Sequence, residues 1–595
     1  MFKGRTIALV LAFFVFSVGI SFAQSLEDNW ADFLHYTKIG RIDLAKGYAQ
    51  AVLDSEPNAL DLLALSEDNP QGYELLLKVR EKAADDELAE LSEEILDIIE
   101  QGRFTRRTDP KIISEEIRRL TGTARGQIAA VKRLKNAGEY AIVYMIDAMM
   151  DKTRREELSN IVWALPQVGK DAIRPLAASL QIEDTAMRTE VARALGKIGY
   201  PQALPYLKYI VENDSSSTMR QAAEKSITQI DPASLRLPAA ELFFQLAEKY
   251  YYHLESLAPA EDADFGNIWF WDAQDNRLVR EKVDRQYFNE LMAMRCCEWS
   301  LKADASFGKS IGLWLAAFCK AESTGLDMPG YFDEGHADAM TYATTAGPEY
   351  LHQALARGIK DKNSDVALCA VEALATTAGE KSLLYRIGVS QPLVQALTYE
   401  DRAVRYSAAI AIAAAGPQID FPEKKLVVMN LEEALAQNNT AEQSDRWNAE
   451  LADRYAFRAA SVMLELAQTR NRIIDLSAAQ DTLIDATKDE RQGIQVFAGQ
   501  ILARLDSPNA QRAIAAMALS EKNDPEVRIL AFGALSISAK QNGSLLDDDK
   551  IDGIYSLAGS AQADPALRTA AASAYGALNL PSQKVKDLIL DQSQS

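Results

Sequence analysis

Asp524-Pro525-Glu526-Val527-Arg528-Ile529-Leu530-Ala531-Phe532-Gly533-Ala534-Leu535 is the stretch that decides the fold, because the chain writes it again. Asp564-Pro565-Ala566-Leu567-Arg568 leads in the same way to Ala571, Ala574 and Tyr575. Asp184 leads to Met187, Arg188, Val191, Ala194 and Leu195, and Asp401 to Val404, Arg405, Ala408, Ala411 and Ile412. Ser216 (Met219, Arg220, Ala223, Ser226, Ile227) and Asn363 (Val366, Ala370, Ala373, Leu374) keep the frame, with Ala367 in place of the arginine. Asp, Ser and Asn carry the side-chain oxygens that accept from the free amides of a helix's first turn. Pro525 and Pro565 suit the first helical position, where a missing donor costs nothing. The apolar places fall on one face of a 3.6-residue period, and two of them are nearly always alanine, which lets a second helix approach closely. Gly199, Gly416-Pro417, Ser507-Pro508 and Leu580-Pro581 mark the breaks between helices.

A self-similar unit of this kind predicts an all-α fold, an α-solenoid in which each helical pair buries its apolar face against its neighbours. Starts at 184 and 216, 363 and 401, and 524 and 564 lie 32, 38 and 40 residues apart. At this spacing, and over Val191-Ala-Arg-Ala-Leu-Gly-Lys-Ile-Gly-Tyr-Pro-Gln-Ala-Leu-Pro-Tyr-Leu207, the chain resembles the HEAT-repeat family in its short form named after phycobilisome lyases. That resemblance implies a binding scaffold rather than an activity. Near the N-terminus Trp30, Tyr36, Gly40, Ala45, Leu53 and Pro57 are spaced much as in a tetratricopeptide repeat.

The expected organisation has seven parts. Residues 1–23 form a signal peptide, 24–110 a tetratricopeptide-like and acidic helical region, and 111–235 a first HEAT-like block. Residues 236–345 form an aromatic tetratricopeptide-like insert with a β-hairpin. A second HEAT-like block (346–420), a helical linker region (421–479) and a third block (480–595) follow. The signal assignment rests on Lys3 and Arg5, the apolar stretch from Ile7 to Ile20, and Ser21-Phe22-Ala23 before Gln24. It implies export, most simply to a periplasm, with no transmembrane segment after cleavage. A formal charge of −21 repels phosphate backbones, so nucleic acid is not an expected partner. The acidic run from Asp85 to Glu94 is read as a solvated helix face.

No residue is assigned as catalytic, cofactor-binding or metal-binding, and no cofactor is expected. Gly308-Lys-Ser-Ile-Gly312 matches a nucleophile pattern, but helices flank it where a strand is required. Asp333, Glu334, His336 and Asp338 form the best metal-like cluster, yet His35, His253 and His352 lie far from it in sequence. Cys296, Cys297, Cys319 and Cys369 are read as small buried hydrophobes, with Cys297 and Cys319 as the pair placed to bridge two helices. In the insert, Asn267 to Val279 reads as two short strands around a polar turn. Alternation puts Trp269 and Trp271 on one face, expected to pack on Tyr250 to Tyr252 and to be equivalent to each other. The functional expectation is a noncatalytic scaffold presenting an extended concave surface to a protein partner. The alternative is a glycan- or cell-wall-binding module using exposed Trp269 and Trp271, and an enzyme with an unrecognised site comes third.

Overall fold

The computed structural model describes residues 25–590, apart from 83–84, 255, 257–258, 260–262, 333–334, 439–446, 581–582, 584–585 and 587–588. The signal segment therefore lies outside the described residues. So do Asp333, Glu334 and most of the polar linker after Asn438. The regular structure of the described residues is helical except for one two-stranded hairpin and an isolated bridge between Ile387 and Ser390. The chain divides into two compact units, one of residues up to 203 with 269–279, the other of residues 204–268 with those from 280 onward.

All six phrases start helices at the residue expected to cap them. Asp184 accepts from the amides of Ala186 (2.8 Å) and Met187 (3.1 Å), and Asp564 from those of Ala566 (2.9 Å) and Leu567 (3.1 Å). Ser216, Asn363, Asp401 and Asp524 each hold one first-turn amide in the same way. The apolar positions are buried in every unit save Met187, which is half-buried. The arginine of the phrase has a task the sequence left open. Arg220 Nη1 donates to the carbonyls of Asp214 and Ser215, and Arg405 Nη1 to those of Tyr399 and Glu400, six and five residues back in each case. In these two units it thereby ties a helix start to the turn that precedes it, whereas Arg528 Nε donates to the carbonyl of Ala518, ten residues back. In the Asn363 unit the alanine also has a reason, since a Cβ on Gly358 would lie 2.8 Å from the Ala367 amide nitrogen. The helices Pro348–Lys360 and Ser364–Thr377 cross there backbone to backbone.

A seventh unit carries the frame without its signature. Helix Gln492–Leu502 starts after Arg491, whose side chain makes no capping bond. Ile494, Ala498, Ile501 and Leu502 are buried at the offsets that Val527, Ala531, Ala534 and Leu535 occupy. Gln495 stands where the arginine would, and its Nε2 donates to the carbonyl of Asp489, six residues back, at 2.7 Å.

The first unit opens with the pair Leu26–Lys38 and Ile42–Asp54, which buries Trp30, Phe33, Ala45 and Ala49 and turns at Gly40 (φ +71°). On helix Asp86–Thr108 the acids from Asp86 to Glu94 are exposed while Leu88 and Ser92 face inward, the solvated face expected. The hairpin strands, β1 (Phe265–Asp272) and β2 (Arg277–Asp284), are longer than the expected pair. Asp272 Oδ1 holds the turn by accepting from the amides of Gln274 and Asp275. Helices Ala239–Tyr251 and Arg285–Ala303 flank it, as expected, and pack on each other within the second unit.

Two expectations need correction. Cys319 and Cys369 form a disulfide across 50 residues, with Cα atoms 6.3 Å apart, while Cys296 and Cys297 are buried and free. Neither the Cys297–Cys319 bridge nor four inert thiols survives. The bonded cysteines sit on helices separated by two others in sequence yet adjacent in space, a neighbourhood that spacing along the chain does not reveal. The two tryptophans of β1 are not equivalent either. Trp269 is 4% exposed and its indole N–H donates to Glu139 Oε2 at 2.8 Å, whereas Trp271 and Phe270 are only half-buried. Tyr250 meets Phe288 edge to face, and Tyr252 accepts a 2.7 Å bond from Arg357.

Candidate partner-binding face

Within the second unit, six helices lie side by side in chain order: Ser364–Thr377, Arg402–Ala414, Ala449–Thr469, Gln492–Leu502, Pro525–Asn542 and Pro565–Ala577. Five start at phrase positions, counting Gln492–Leu502, and their alanines permit the close spacing. Helix Ala449–Thr469 joins the layer with a different register: Asn448 caps it, and Ala452, Tyr455, Ala456, Ala459 and Ala460 are buried.

Polar side chains run across this layer. Arg458 grips Glu372 with two bonds of 2.8 Å, and Ser407 Oγ donates to the same carboxylate at 2.5 Å. Ser407 also lies 2.9 Å from the hydroxyl of Tyr455. Burial pushes up the pKa of Tyr455, so the phenol stays protonated as a donor or acceptor in the chain. Arg491 reaches Asp453 at 2.8 Å from the next helix start. Phe457 lies over Gly493, where a Cβ would come within 2.6 Å of the ring. Phe457 is nevertheless 37% exposed, and Leu530, two helices along, is 41% exposed.

Beside these residues is a buried aromatic cluster. Trp447 and Tyr455 stack at 5.5 Å between centroids, and Tyr406 meets both edge-on at 5.8 Å. Four guanidinium groups stand over these rings: Arg402 on Trp447 (5.0 Å), Arg405 on Tyr406 (5.7 Å), and Arg454 (5.9 Å) and Arg458 (5.3 Å) on Tyr455. The sequence reading missed this cluster because Tyr406 comes from a helix more than forty residues before Trp447 and Tyr455.

A second polar cluster ends helix Ala239–Tyr251. Glu290, 1% exposed, receives Lys320 Nζ at 2.8 Å and touches His253 Nε2. Burial raises its pKa, but the bonds from His253 and Lys320 outweigh that and leave it lowered. Lys320 also donates to the carbonyl of Tyr251 at 3.3 Å. His253 is left-handed (φ +52°), a conformation rare for a non-glycine residue, and these contacts hold it there. Both contacts fall on Glu290 Oε1, Oε2 is buried without a hydrogen-bond partner among the described residues, and the arrangement anchors the chain where it leaves the helix for β1.

Among the described residues, the candidates read from sequence are not brought together. Ser310 is buried on helix Lys309–Glu322 and donates to Ser300 Oγ at 2.8 Å, which in turn donates to the carbonyl of Ala240. Asp338 caps helix Ala339–Ala346, and His336 Nδ1 lies 2.9 Å from the carbonyl of Ala337. His352 is buried against the carbonyl of Ser382 at 2.7 Å, and burial lowers its pKa. His35 sits on the first helix. No group of three or more metal-ligating side chains occurs among the described residues.

A family model described as HEAT repeats matches residues 143–228, which include the phrases at Asp184 and Ser216. No curated protein matches the sequence. Among solved structures, an engineered protein is similar over 79% of this chain and 99% of its own, at 15% identity and a TM-score of 0.24. The karyopherin Kap121p bound to the SUMO protease Ulp1p is similar over 95% of this chain and 54% of its own, at 12% identity and a TM-score of 0.30. Kap95p, from a complex with RanGDP, is similar over 87% of this chain and 68% of its own, at 13% identity and a TM-score of 0.25. This chain thus spans about half the length of Kap121p. The chain carries HEAT repeats and is an all-α helical-repeat protein.

Proposed function

We propose that the protein is an exported, noncatalytic scaffold that holds a protein partner on its layer of phrase helices. The observation that carries this reading is the exposure of Phe457 and Leu530 on a layer whose other large apolar side chains are buried or half-buried. Isolated exposed apolar residues are ordinary, but two on one repeat layer, a single helix apart, suit the apolar centre of an interface. Export is supported by the N-terminal sequence and by the Cys319–Cys369 bond, since disulfides persist in oxidising compartments. No helix among the described residues is long and apolar enough to cross a membrane. The glycan-binding alternative loses its main support, because Trp269 is committed to Glu139.

Site-specific photocrosslinking in the source cell's envelope tests the reading. A benzophenone amino acid at position 457 or 530 should trap one and the same partner. The same group at Met429, 59% exposed on helix Lys424–Leu435, should not. Crosslinks from 429 alone, or none from 457 and 530, would refute it.

A further inference from the structure

Arg402 and Arg454 make an unusual pair of loose ends. Of the four arginines over the Tyr406–Trp447–Tyr455 cluster, Arg405 is bound by Glu433 at 2.9 Å and Arg458 by Glu372. Arg402 and Arg454 have only their ring contacts: among the described residues neither has an ion-pair or hydrogen-bond partner. Arg402 is half-buried and Arg454 exposed. A guanidinium laid on an aromatic face keeps its N–H edge directed outward, and the ring fixes its plane in advance. What such a fork lacks is a planar anion, and a carboxylate accepts two of its N–H bonds at once.

We infer that Arg402 and Arg454 receive two carboxylates of an acidic peptide segment on the partner. This rests on the partner-face reading above and specifies its chemistry. The steps from Arg402 to Trp447 (5.0 Å), Trp447 to Tyr455 (5.5 Å) and Tyr455 to Arg454 (5.9 Å) bound the separation of the two guanidiniums. An extended peptide, rising about 3.3 Å per residue, covers that bound in about five residues. One short run of Asp or Glu therefore meets both arginines. The protein's own charge of −21 opposes an acidic ligand at long range. Screening over about 8 Å at physiological ionic strength leaves the local forks to decide.

Fluorescence polarisation with the full mature chain and labelled hexaglutamate tests the inference. Saturable binding is expected, with hexalysine binding more weakly. Arg402→Gln with Arg454→Gln should weaken it about tenfold or more, since both charged forks are lost. Arg125→Gln with Arg155→Gln, exposed arginines of the first unit, should leave it unchanged. Should the glutamine variant fail to fold, Arg402→Lys with Arg454→Lys keeps the charge and removes the planar fork, and a clear loss is still expected. Absence of saturable binding, equal binding by the glutamine variant, or full competition by inorganic phosphate at the peptide's own concentration would overturn the inference. Tighter binding of polygalacturonate than of hexaglutamate would overturn it in favour of an acidic glycan. Crosslinking from 457 and 530 with no hexaglutamate binding removes the acidic chemistry alone. Hexaglutamate binding with no crosslinking removes the partner-face reading while the anion site stands.

Discussion

Helix Pro525–Asn542 and strand β1 both bury side chains well, yet by opposite means. In the helix, the cap Asp524 and the buried Val527, Ala531, Ala534 and Leu535 all lie within eleven residues of one another. In the strand, the burial of Trp269 depends on Glu139, 130 positions earlier, which Arg174 also holds at 3.1 Å. Local patterning places the first set of side chains. Only tertiary structure places the second. The contrast explains why alternation alone made Trp269 and Trp271 look alike.

The largest expected effect separates those two tryptophans. Trp269→Ala removes a buried ring and leaves Glu139 short of a donor, and should destabilise its surroundings by about 3–5 kcal/mol. Trp271→Ala, at a half-buried site, should cost about 1–2 kcal/mol. Native-state hydrogen exchange in helix Glu139–Met150 reports the difference, because it measures local opening without assuming two-state unfolding. Equal protection in the two variants would restore the equivalence that alternation implied.

The disulfide offers the next effect, and again one that spacing does not foretell. Replacing Cys319 and Cys369 together by serine should cost about 2–4 kcal/mol, since the bond closes a loop of 50 residues. Exchange should rise in helix Pro348–Lys360, which lies inside that loop. Protection unchanged from the parent would mean that packing alone holds the two cysteine-bearing helices together. Asn363→Ala is the smallest change and the most local. Losing the bond to the Val366 amide should cost about 1 kcal/mol, read as faster exchange confined to the first turn of helix Ser364–Thr377.

What could be read in advance follows the same division. Caps, buried alanines, the solvated acidic face and the hairpin's flanking helices were legible, because each is set by residues within a few turns. The unit after Arg491 escaped notice because its cap is Arg491 and its arginine place is Gln495, although Ile494, Ala498, Ile501 and Leu502 keep the frame. The cluster of Tyr406, Trp447 and Tyr455, the ladder from Glu372 to Arg458 and the Glu290–His253–Lys320 group were not legible. Each joins residues from separate helices or the segments beside them, and no spacing along one helix encodes such contacts. Trp447 in particular follows a polar linker, where nothing in the sequence marks it as buried.

The central claim is that burial register, and not the cap or the arginine, defines the repeat. Ala498→Leu, in the unit that lacks both signature residues, tests it most directly beside Ala531→Leu in a unit that has them. Both alanines are fully or almost fully buried, and an added isopropyl group should overpack each helix contact by about 1–3 kcal/mol. Ala566→Leu and Ala572→Leu, on exposed positions of helix Pro565–Ala577, should stay within about 0.5 kcal/mol of the parent. Hydrogen exchange of the mutated helices in all four variants gives the comparison. Matching losses at 498 and 531, with 566 and 572 unaffected, are the expected result. A tolerant Ala498, or equal losses at all four positions, would contradict the account.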